Sequence, residues 1–287
     1  MPRIATFVFF DTETTGLPKE ENNRTKITEM SVVAVQREHL LDQSERLSRE
    51  NILVRPRVIN KLTLCLNPRR LISDVSSSTS GLTNDLLEDQ THFDERVFAM
   101  LDNFLKVLSK PVCLVAHNGH GFDFPILKNH LVKINANLPD DILCADAIYG
   151  LYDLTKKNKE EQIYEISSET NITRDEMPLT AMQAINENTP KKNKAPCPRP
   201  RPGKKRKIYF EGDPKPSSSF KLEKIYEERA KPHSSSVLIS HNAEDDCIML
   251  LEIAIKMGNE FIEWCDENSC TFTQFCNKSE SVICLSI

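Results

Sequence analysis

Two acidic residues stand close together at the end of an apolar stretch near the start of the chain. Residues 4–10 are rich in aromatic and β-branched side chains, which predicts a buried strand, and Asp11 and Glu13 follow directly. Side chains two apart in a strand point to the same face, and like charges held that close repel unless a cation compensates them. Because Mg²⁺ and Mn²⁺ prefer carboxylate oxygen, the pair predicts half of a metal site. Solvated acids at an exposed strand end are the alternative.

Three further polar residues lie at predicted helix starts later in the chain. Asp123 directly precedes a helix, Asp246 falls in the first turn of a helix over 242–257, and His241 precedes that helix. Each has a structural alternative, because Asp is a good N-cap, acids are favoured near helix N-termini, and a lone His often serves as a hydrogen-bond donor. As a set, four carboxylates could hold two ions while a histidine takes a proton from water. Phosphodiester hydrolysis is the chemistry that such a set predicts.

The elements that must position these residues change in type along the chain. Predicted strands cover 27–35, 58–66, 112–116 and 142–146, and predicted helices cover 93–107, the segment after Asp123, 220–226 and 242–257. The early strands favour antiparallel pairing, and the alternation of helix and strand from residue 93 implies parallel members of an α/β sheet. We expect residues 36–56 to form a surface loop and the Ser-rich stretch 73–80 to lead through a loop into a short helix.

Composition places the chain among ordinary globular proteins. Of 287 residues, 39% are hydrophobic and 28% are charged, and the net charge of −5 gives no overall attraction to nucleic acid. No apolar run approaches the roughly 18 residues of a membrane span, and the first residues lack the pattern of a signal peptide. Nine scattered cysteines without a Cys-x-x-Cys pair fit a reducing compartment and argue against zinc or a disulfide framework.

A basic, proline-rich segment interrupts the chain. Residues 189–207 contain nine Lys or Arg and no acid, so we expect this segment to be extended or disordered rather than packed. A solvated linker, a nuclear-import signal at Lys204–Lys207 and a nucleic-acid tether are the interpretations open to it. The expected division is a folded domain begun over 1–185, a basic insert over 186–218, completion of the domain over 219–275 and a tail over 276–287.

Three motifs carry a family resemblance: F-F-D-T-E-T-T-G-L-P at 9–18, L-V-A-H-N-G-H-G-F-D-F-P-I-L at 114–127, and S-H-N-A-E-D-D-C-I-M-L-L-E-I at 240–253. In this order they resemble the DEDDh 3′→5′ exonucleases, and most closely the three-prime repair exonuclease family. The resemblance implies an α/β, RNase H-like fold with a mixed five-stranded sheet flanked by helices. By position it also implies a general base, His241, and four ligands for two Mg²⁺ ions that Mn²⁺ could replace: Asp11, Glu13, Asp123 and Asp246.

The same resemblance implies the substrate contacts. Leu17, with Pro18 beside it, and Leu82 would contact the terminal nucleotide, while His117 and Asn118 would shape the loop near the site. Many relatives have Ile-Thr-Gly-Leu where this chain has Thr-Ser-Gly-Leu ending at Leu82. One apolar wall of the nucleotide pocket is therefore expected to be weaker here.

The activity that the resemblance implies is metal-dependent release of 5′-mononucleotides from single-stranded or frayed DNA 3′ ends. Trimming of RNA 3′ ends and a catalytically silent nucleic-acid-binding module are the alternatives. We expect a homodimer through the strand 58–66, whose apolar side chains on both faces would leave an edge prone to association. The chain lacks the hydrophobic C-terminal anchor of some relatives, so we expect a cytosolic or nuclear location without membrane contact.

Overall fold

A mixed sheet of six strands forms the centre of the protein, which this computed structural model describes over residues 3–157 and 220–276. The strands are β1 (Thr6–Thr14), β2 (Ile27–Gln36), β3 (Asn60–Cys65), β4 (Val112–Ala116), β5 (Leu143–Asp146) and β6 (Cys270–Thr271). Their spatial order is β3-β2-β1-β4-β5-β6. The pairs β1–β4 and β4–β5 are parallel and the other three are antiparallel. The predicted mixed α/β sheet is confirmed.

The expected count of five strands is wrong by one. The sixth strand, β6, has only two residues and pairs antiparallel with β5, with Cys270 opposite Cys144. A two-residue strand is too short to show an alternation of apolar and polar side chains, so its sequence gives no signal. Its position covers the edge that β5 would otherwise present.

Helices cover both faces of the sheet because strand side chains alternate between the faces. Among the described residues, the helices of seven or more residues are α1 (Arg37–Glu50), α2 (Asp74–Ser80), α3 (Glu95–Lys106), α4 (Asp123–Lys133), α5 (147–157), α6 (Leu222–Arg229), α7 (Ala243–Met257) and α8 (Asn259–Asn268), and residues 272–276 are also helical. Phe7 and Phe9 of β1 share one buried cluster with α1, α7 and α8. Val8 and Phe10 share the other with α3 and α4. Within the described ranges, no helix combines the length and the apolar character needed to cross a membrane.

Two helices stand where the sequence predicted irregular structure. In α1 the long apolar side chains that are buried are Leu40 and Leu47, two turns apart in an otherwise charged segment, so the helical period is weak. In α2 no side chain is buried. That helix is defined by its ends instead: the Ser73 side chain accepts from the N–H of Ser76, and Gly81 closes it in the left-handed conformation at φ 73°.

Among the described strands, β3 lies at one edge of the sheet, and it is tied to α7. Leu62 and Leu64 are partly buried against the cluster that contains α3 and α4. On the other face, Lys61 Nζ lies 2.7 Å from Glu244 Oε1, and Thr63 Oγ1 donates to Glu244 Oε2 at 2.9 Å. Glu244 belongs to the first turn of α7, so this edge strand is connected to the helix that carries Asp246.

Several predictions fall outside the described residues. The basic insert 186–218, its import signal at Lys204–Lys207 and the chain beyond residue 276 are among them.

Candidate active site

A cleft of about 650 Å³ opens at the carboxyl ends of β1 and β4. All five residues predicted to bind metal or act as base line it: Asp11, Glu13, Asp123, His241 and Asp246. The parallel pairing of β1 with β4 places the end of β1 beside the loop that leads into α4. The start of α7 supplies the remaining side. The fold thus brings together residues that are separated by up to 235 positions in the chain (246 − 11).

Hydrogen bonds fix the two acids at the helix starts. Asp123 is the first residue of α4, and Phe122 occupies the N-cap position, so the carboxylate does not serve as the cap. Instead it accepts a hydrogen bond from Thr12 Oγ1 at 2.8 Å. Asp246 accepts the backbone N–H of His241 at 3.1 Å. Both acids are oriented toward the cleft by neighbours from other parts of the site.

The acids of the cleft are electrostatically strained. Burial, followed by repulsion from Asp123, Asp246 and Glu13, raises the pKa of Asp11 well above its ordinary value. Burial and the other acids likewise raise the pKa of Glu13 to about 8. Burial is also the main cause that raises the pKa of Asp123 to about 7 and that of Asp246 to about 7. Each carboxyl is therefore destabilised as an anion in the absence of a cation.

This donor set fits a hard divalent cation. Among the described residues that line the cleft, Lys221 is the one Lys or Arg. The chain itself therefore supplies little positive charge to compensate the four carboxylates. The donors are carboxylate oxygens, which Mg²⁺ and Mn²⁺ prefer. Asp11, Glu13, Asp123 and Asp246 are the residues that would hold such ions, and bound cations would remove the repulsion that raises their pKa values.

His241 stands at the rim of the acidic cluster. One ring nitrogen of His241 and carboxylate oxygens of Glu13 and Asp246 all lie within 4.8 Å of one another. Its backbone is in the left-handed region at φ 65°, and its side chain is exposed. Nε2 lies 3.5 Å from Glu223 Oε1, a residue of α6 that the sequence did not single out. An exposed imidazole beside a cluster of acids is placed to exchange protons with solvent.

The predicted substrate contacts are only partly in the cleft. Leu17 lines it and is 54% exposed. Pro18 and Leu82 are not among the described residues that line it. The helix over residues 74–80 contributes Val75 to the cleft wall. Val75 is 74% exposed, and its apolar side chain faces the same space as Leu17. A short serine-rich helix gives no apolar pattern that could have identified Val75.

The loop after β4 is shaped by two residues that were predicted to do so. His117 Nε2 is bonded to the carbonyl oxygen of Phe220 at 2.8 Å, and burial lowers the pKa of the His117 imidazole. Asn118 adopts the left-handed conformation at φ 62°, and its side chain lies against Gly121, where a Cβ would come within 2.7 Å of the Asn118 Oδ1 atom. The loop thus joins the first described segment to the second at the edge of the cleft.

Glu29 is a further acid at the site that sequence reasoning missed. It lies in β2 directly opposite Glu13 and is buried. Its Oε2 atom accepts the backbone N–H of Ala243 at 2.9 Å, at the first turn of α7. The side chain therefore anchors the helix that carries Asp246 and adds negative charge near Glu13. The apolar sequence around it gave no sign of this contact, which depends on the packing of α7.

A family model described as "RNase_T: Exonuclease" matches residues 8–168, which is more than half of the 287-residue chain. The chain belongs to this exonuclease family. The matched region contains Asp11, Glu13 and Asp123, the acids contributed by β1 and α4.

Curated relatives place the chain near one branch of the family. Three prime repair exonuclease 2 of Homo sapiens is 40% identical over 157 residues, covering 54% of this chain and 64% of that protein. Three-prime repair exonuclease 1 of Homo sapiens is 34% identical over 154 residues, covering 52% of this chain and 48% of that protein. The chain therefore spans less than two thirds of the length of these relatives. The predicted resemblance to the three-prime repair exonucleases is confirmed.

Solved structures agree on the fold. A full-length 3′-exonuclease has a TM-score of 0.51 at 14% identity, covering 89% of this chain and 82% of that chain. The nuclease domain of 3′hExo, a DEDDh family member bound to rAMP, has a TM-score of 0.50 at 14% identity, covering 89% and 92%. At this identity the likeness shows a shared fold, and the chemistry must be argued from the cleft itself.

Proposed function

We propose that this chain is a divalent-metal-dependent 3′→5′ DNA exonuclease that releases 5′-mononucleotides. The observation that carries the proposal is the meeting of four carboxylates in one cleft, with all four pKa values raised and His241 at the rim. Membership of the exonuclease family and the relatives described above support the reaction class. The chain has all five of the predicted catalytic residues, which argues against a catalytically silent binding module.

In the proposed reaction, water attacks the terminal phosphodiester and the bond from phosphorus to the 3′-oxygen breaks. His241 takes the proton from the attacking water, and solvent returns a proton to the leaving 3′-oxygen. Bound divalent ions would supply Lewis-acid stabilisation of the phosphate charge and of the leaving oxygen. Asp11, Glu13, Asp123 and Asp246 would hold them, with Asp123 oriented by Thr12 and Asp246 by the backbone of His241.

A single-stranded or frayed 3′ end is the proposed substrate. Leu17 and Val75 are exposed apolar side chains in the wall of the cleft, and such side chains can pack on the face of an unpaired terminal base. A paired terminal base is held to its partner strand by hydrogen bonds, so the two strands would have to separate before the cleft could enclose the nucleotide. Apolar packing of this kind does not distinguish one base from another, so we expect little base preference.

Incubation of the purified chain with labelled DNA and RNA oligonucleotides, with Mg²⁺, Mn²⁺ or EDTA, tests the proposal. We expect stepwise shortening of DNA from the 3′ end with either metal and none in EDTA. Asp123→Asn should be inactive, whereas Asp85→Asn, which changes an exposed acid outside the cleft, should retain activity. Faster shortening of RNA would assign the chain to RNA 3′-end trimming, because only the 2′-hydroxyl distinguishes the two ends. Digestion in EDTA would overturn the metal-dependent mechanism.

We also propose a homodimer and a cytosolic or nuclear location. Within the described part of the chain, β3 is an edge strand that pairs with β2 alone, so pairing with its own copy about a two-fold axis would cover its other side. The location follows from the basic sequence at Lys204–Lys207, which has the composition of a nuclear-import signal.

A further inference from the structure

Two thiols and an imidazole meet at the edge of the sheet formed by β5 and β6. Cys144 of β5 lies opposite Cys270 of β6, and their Sγ atoms are 3.6 Å apart, which is too long for a disulfide. His120, from the loop between β4 and α4, brings a ring nitrogen to the same point. The three donor atoms all lie within 4.8 Å of one another. None of the three residues lines the catalytic cleft.

His120 is poorly satisfied by the chain around it. Its side chain is only 10% exposed, and neither ring nitrogen has a hydrogen-bond partner among the described residues. Nδ1 lies 3.9 Å from Asp146 Oδ2, beyond hydrogen-bond distance, while the ring stacks on Phe275 at 5.2 Å between centroids. A buried polar group without a partner is costly and requires an explanation, of which a missing ion is one.

We propose that His120, Cys144 and Cys270 form a binding site for a zinc ion, separate from the catalytic metal site. Zn²⁺ favours sulfur and imidazole nitrogen as ligands, whereas Mg²⁺ favours oxygen. The two sites are therefore expected to bind different metals. Two thiolates balance the charge of a divalent ion, which allows the complex to sit in a buried position. Cys144 is 0% exposed and Cys270 is 4% exposed.

The surroundings match those of metal-bound histidines. Such histidines usually direct their second ring nitrogen to a carboxylate, and Asp146 stands beside His120 at the end of β5. A water molecule would complete the fourth tetrahedral position.

The cysteine spacing argued against zinc because the ligands come from three distant segments. Residues 120, 144 and 270 are separated by 24 and 126 positions (144 − 120 and 270 − 144), whereas sequence patterns of zinc sites rely on closely spaced pairs. An ion there would tie β6, near the end of the second described segment, to the loop that leads into Asp123. Its role would be structural.

Titration of the reduced full-length chain with Co²⁺ tests the site, because thiolate ligands give a charge-transfer absorption in the near ultraviolet that carboxylate ligands do not. We expect one Co²⁺ per chain to give this band and Zn²⁺ to remove it by displacement. Cys144→Ser and Cys270→Ser should each weaken the band strongly, because one thiolate is left, and the double variant should lose it. His120→Phe, which preserves the stacking on Phe275, should weaken Co²⁺ binding by more than about tenfold, since even outer residues of metal sites are commonly worth that much.

Two controls separate this site from other thiols and from the catalytic cleft. Cys113→Ser changes a buried thiol of β4 and should keep the band, as should Asp123→Asn, which removes an acid of the cleft. Folding of every variant is checked by circular dichroism, and His120→Phe tests the site even if a serine variant does not fold.

A folded, reduced wild-type chain without a thiolate band would overturn the proposal. So would a band of undiminished intensity in a folded Cys144→Ser or Cys270→Ser variant, or any band in a folded double variant. Detection of a Cys144–Cys270 disulfide in the purified chain, with no thiolate band after reduction, would assign the pair to redox chemistry instead of zinc.

Discussion

Burial in the cleft disfavours the ionised form of each acid. Replacing one of them by a neutral residue should therefore have a measurable effect on the stability of the metal-free protein. Asp123 has a pKa raised to about 7, mainly by burial, while Thr12 donates a hydrogen bond to it. An asparagine would keep an acceptor for Thr12 and would carry no charge. We therefore expect metal-free Asp123→Asn to melt no lower than the wild type near pH 8, although it loses activity. Thermal melts in EDTA measure this, and a clearly lower melting temperature would mean that the carboxylate is needed for folding.

His241 gives a second prediction at the residue scale. A base must be neutral to accept a proton, so kcat should fall toward acid pH through a single protonation step. General base catalysis is worth about 10²–10⁴-fold, and His241→Ala should lose activity on that order. The variant should also show a flatter acid limb when both proteins are assayed at saturating Mg²⁺. If the pH profile of His241→Ala matched that of the wild type, His241 would be structural.

The residues that could be predicted from the sequence are those with a local pattern. Asp11 and Glu13 stand out through their spacing at a strand end, and His241 and Asp246 through theirs at a helix start. Val75 and Glu29 could not be predicted in the same way. Val75 lies in a helix without buried residues, and Glu29 meets Ala243 only because α7 packs on the sheet. Contacts of this kind arise from tertiary structure and leave no short-range signal.

Among the helices, α3 could be predicted from the sequence and α1 could not. The helix α3 buries Val97, Leu101 and Leu105 at a spacing of four, and its prediction over 93–107 agrees with the structure. The helix α1 shows two buried leucines in a charged segment, so its period is hidden. The apolar periodicity of the sequence does not detect a helix such as α1, which buries only two apolar side chains.

The edge strand β3 supports a prediction on assembly. The N–H of Leu66 bonds to the carbonyl oxygen of Thr28 beside β2, so in this register Thr63 directs its N–H to the side of β3 away from β2. Proline removes a backbone donor, so Thr63→Pro should reduce the dimer fraction more than Thr63→Ala, which loses the same hydroxyl and leaves the backbone intact. Sedimentation velocity at micromolar concentration measures the fraction, with circular dichroism to verify the fold of each variant. A monomeric wild type would end the proposal, and a dimer insensitive to Thr63→Pro would move the interface elsewhere.

The basic insert supports a prediction on salt dependence. Residues 189–207 carry nine Lys or Arg, and each phosphate that they neutralise on a single strand contributes about 0.7 to the slope of log affinity against log salt. Deleting the segment should lower that slope while leaving cleavage of short oligonucleotides nearly unchanged. A variant of equal length with the nine basic residues replaced by Ser separates charge from length. Loss of folding on deletion would show that the segment is structural.

For the whole molecule, the raised pKa values predict how stability depends on pH. A carboxyl whose folded pKa lies above its unfolded value stabilises the protein below the unfolded pKa, and this contribution is lost as pH rises through the folded pKa. The folded values are about 8 for Glu13 and about 7 for Asp123 and Asp246. Metal-free protein should therefore melt at a lower temperature as pH rises from about 6.5 to about 8.5.

Two comparisons check the origin of this effect. His130 does not interfere in this range. Burial lowers its pKa to about 4, so its contribution to stability increases with pH, but only up to the ordinary histidine pKa of about 6.5. Saturating Mg²⁺ should remove most of the decline by binding the folded state, and Asp123→Asn should make the metal-free curve shallower. A metal-free melting temperature that rises over this range would contradict the electrostatic description of the cleft.

The bridge from Lys61 and Thr63 to Glu244 has a consequence for communication between surfaces. It joins the free edge of the sheet to the first turn of α7, two residues before Asp246. We therefore expect that a partner that shifts β3 together with the first turn of α7 would change the free energy of ion binding at Asp246. Thermodynamic reciprocity then requires the ion to change the affinity of the edge for its partner by the same factor. Dimer dissociation constants measured with Mg²⁺ and with EDTA should differ, and Glu244→Gln, which weakens the bridge, should bring them closer together.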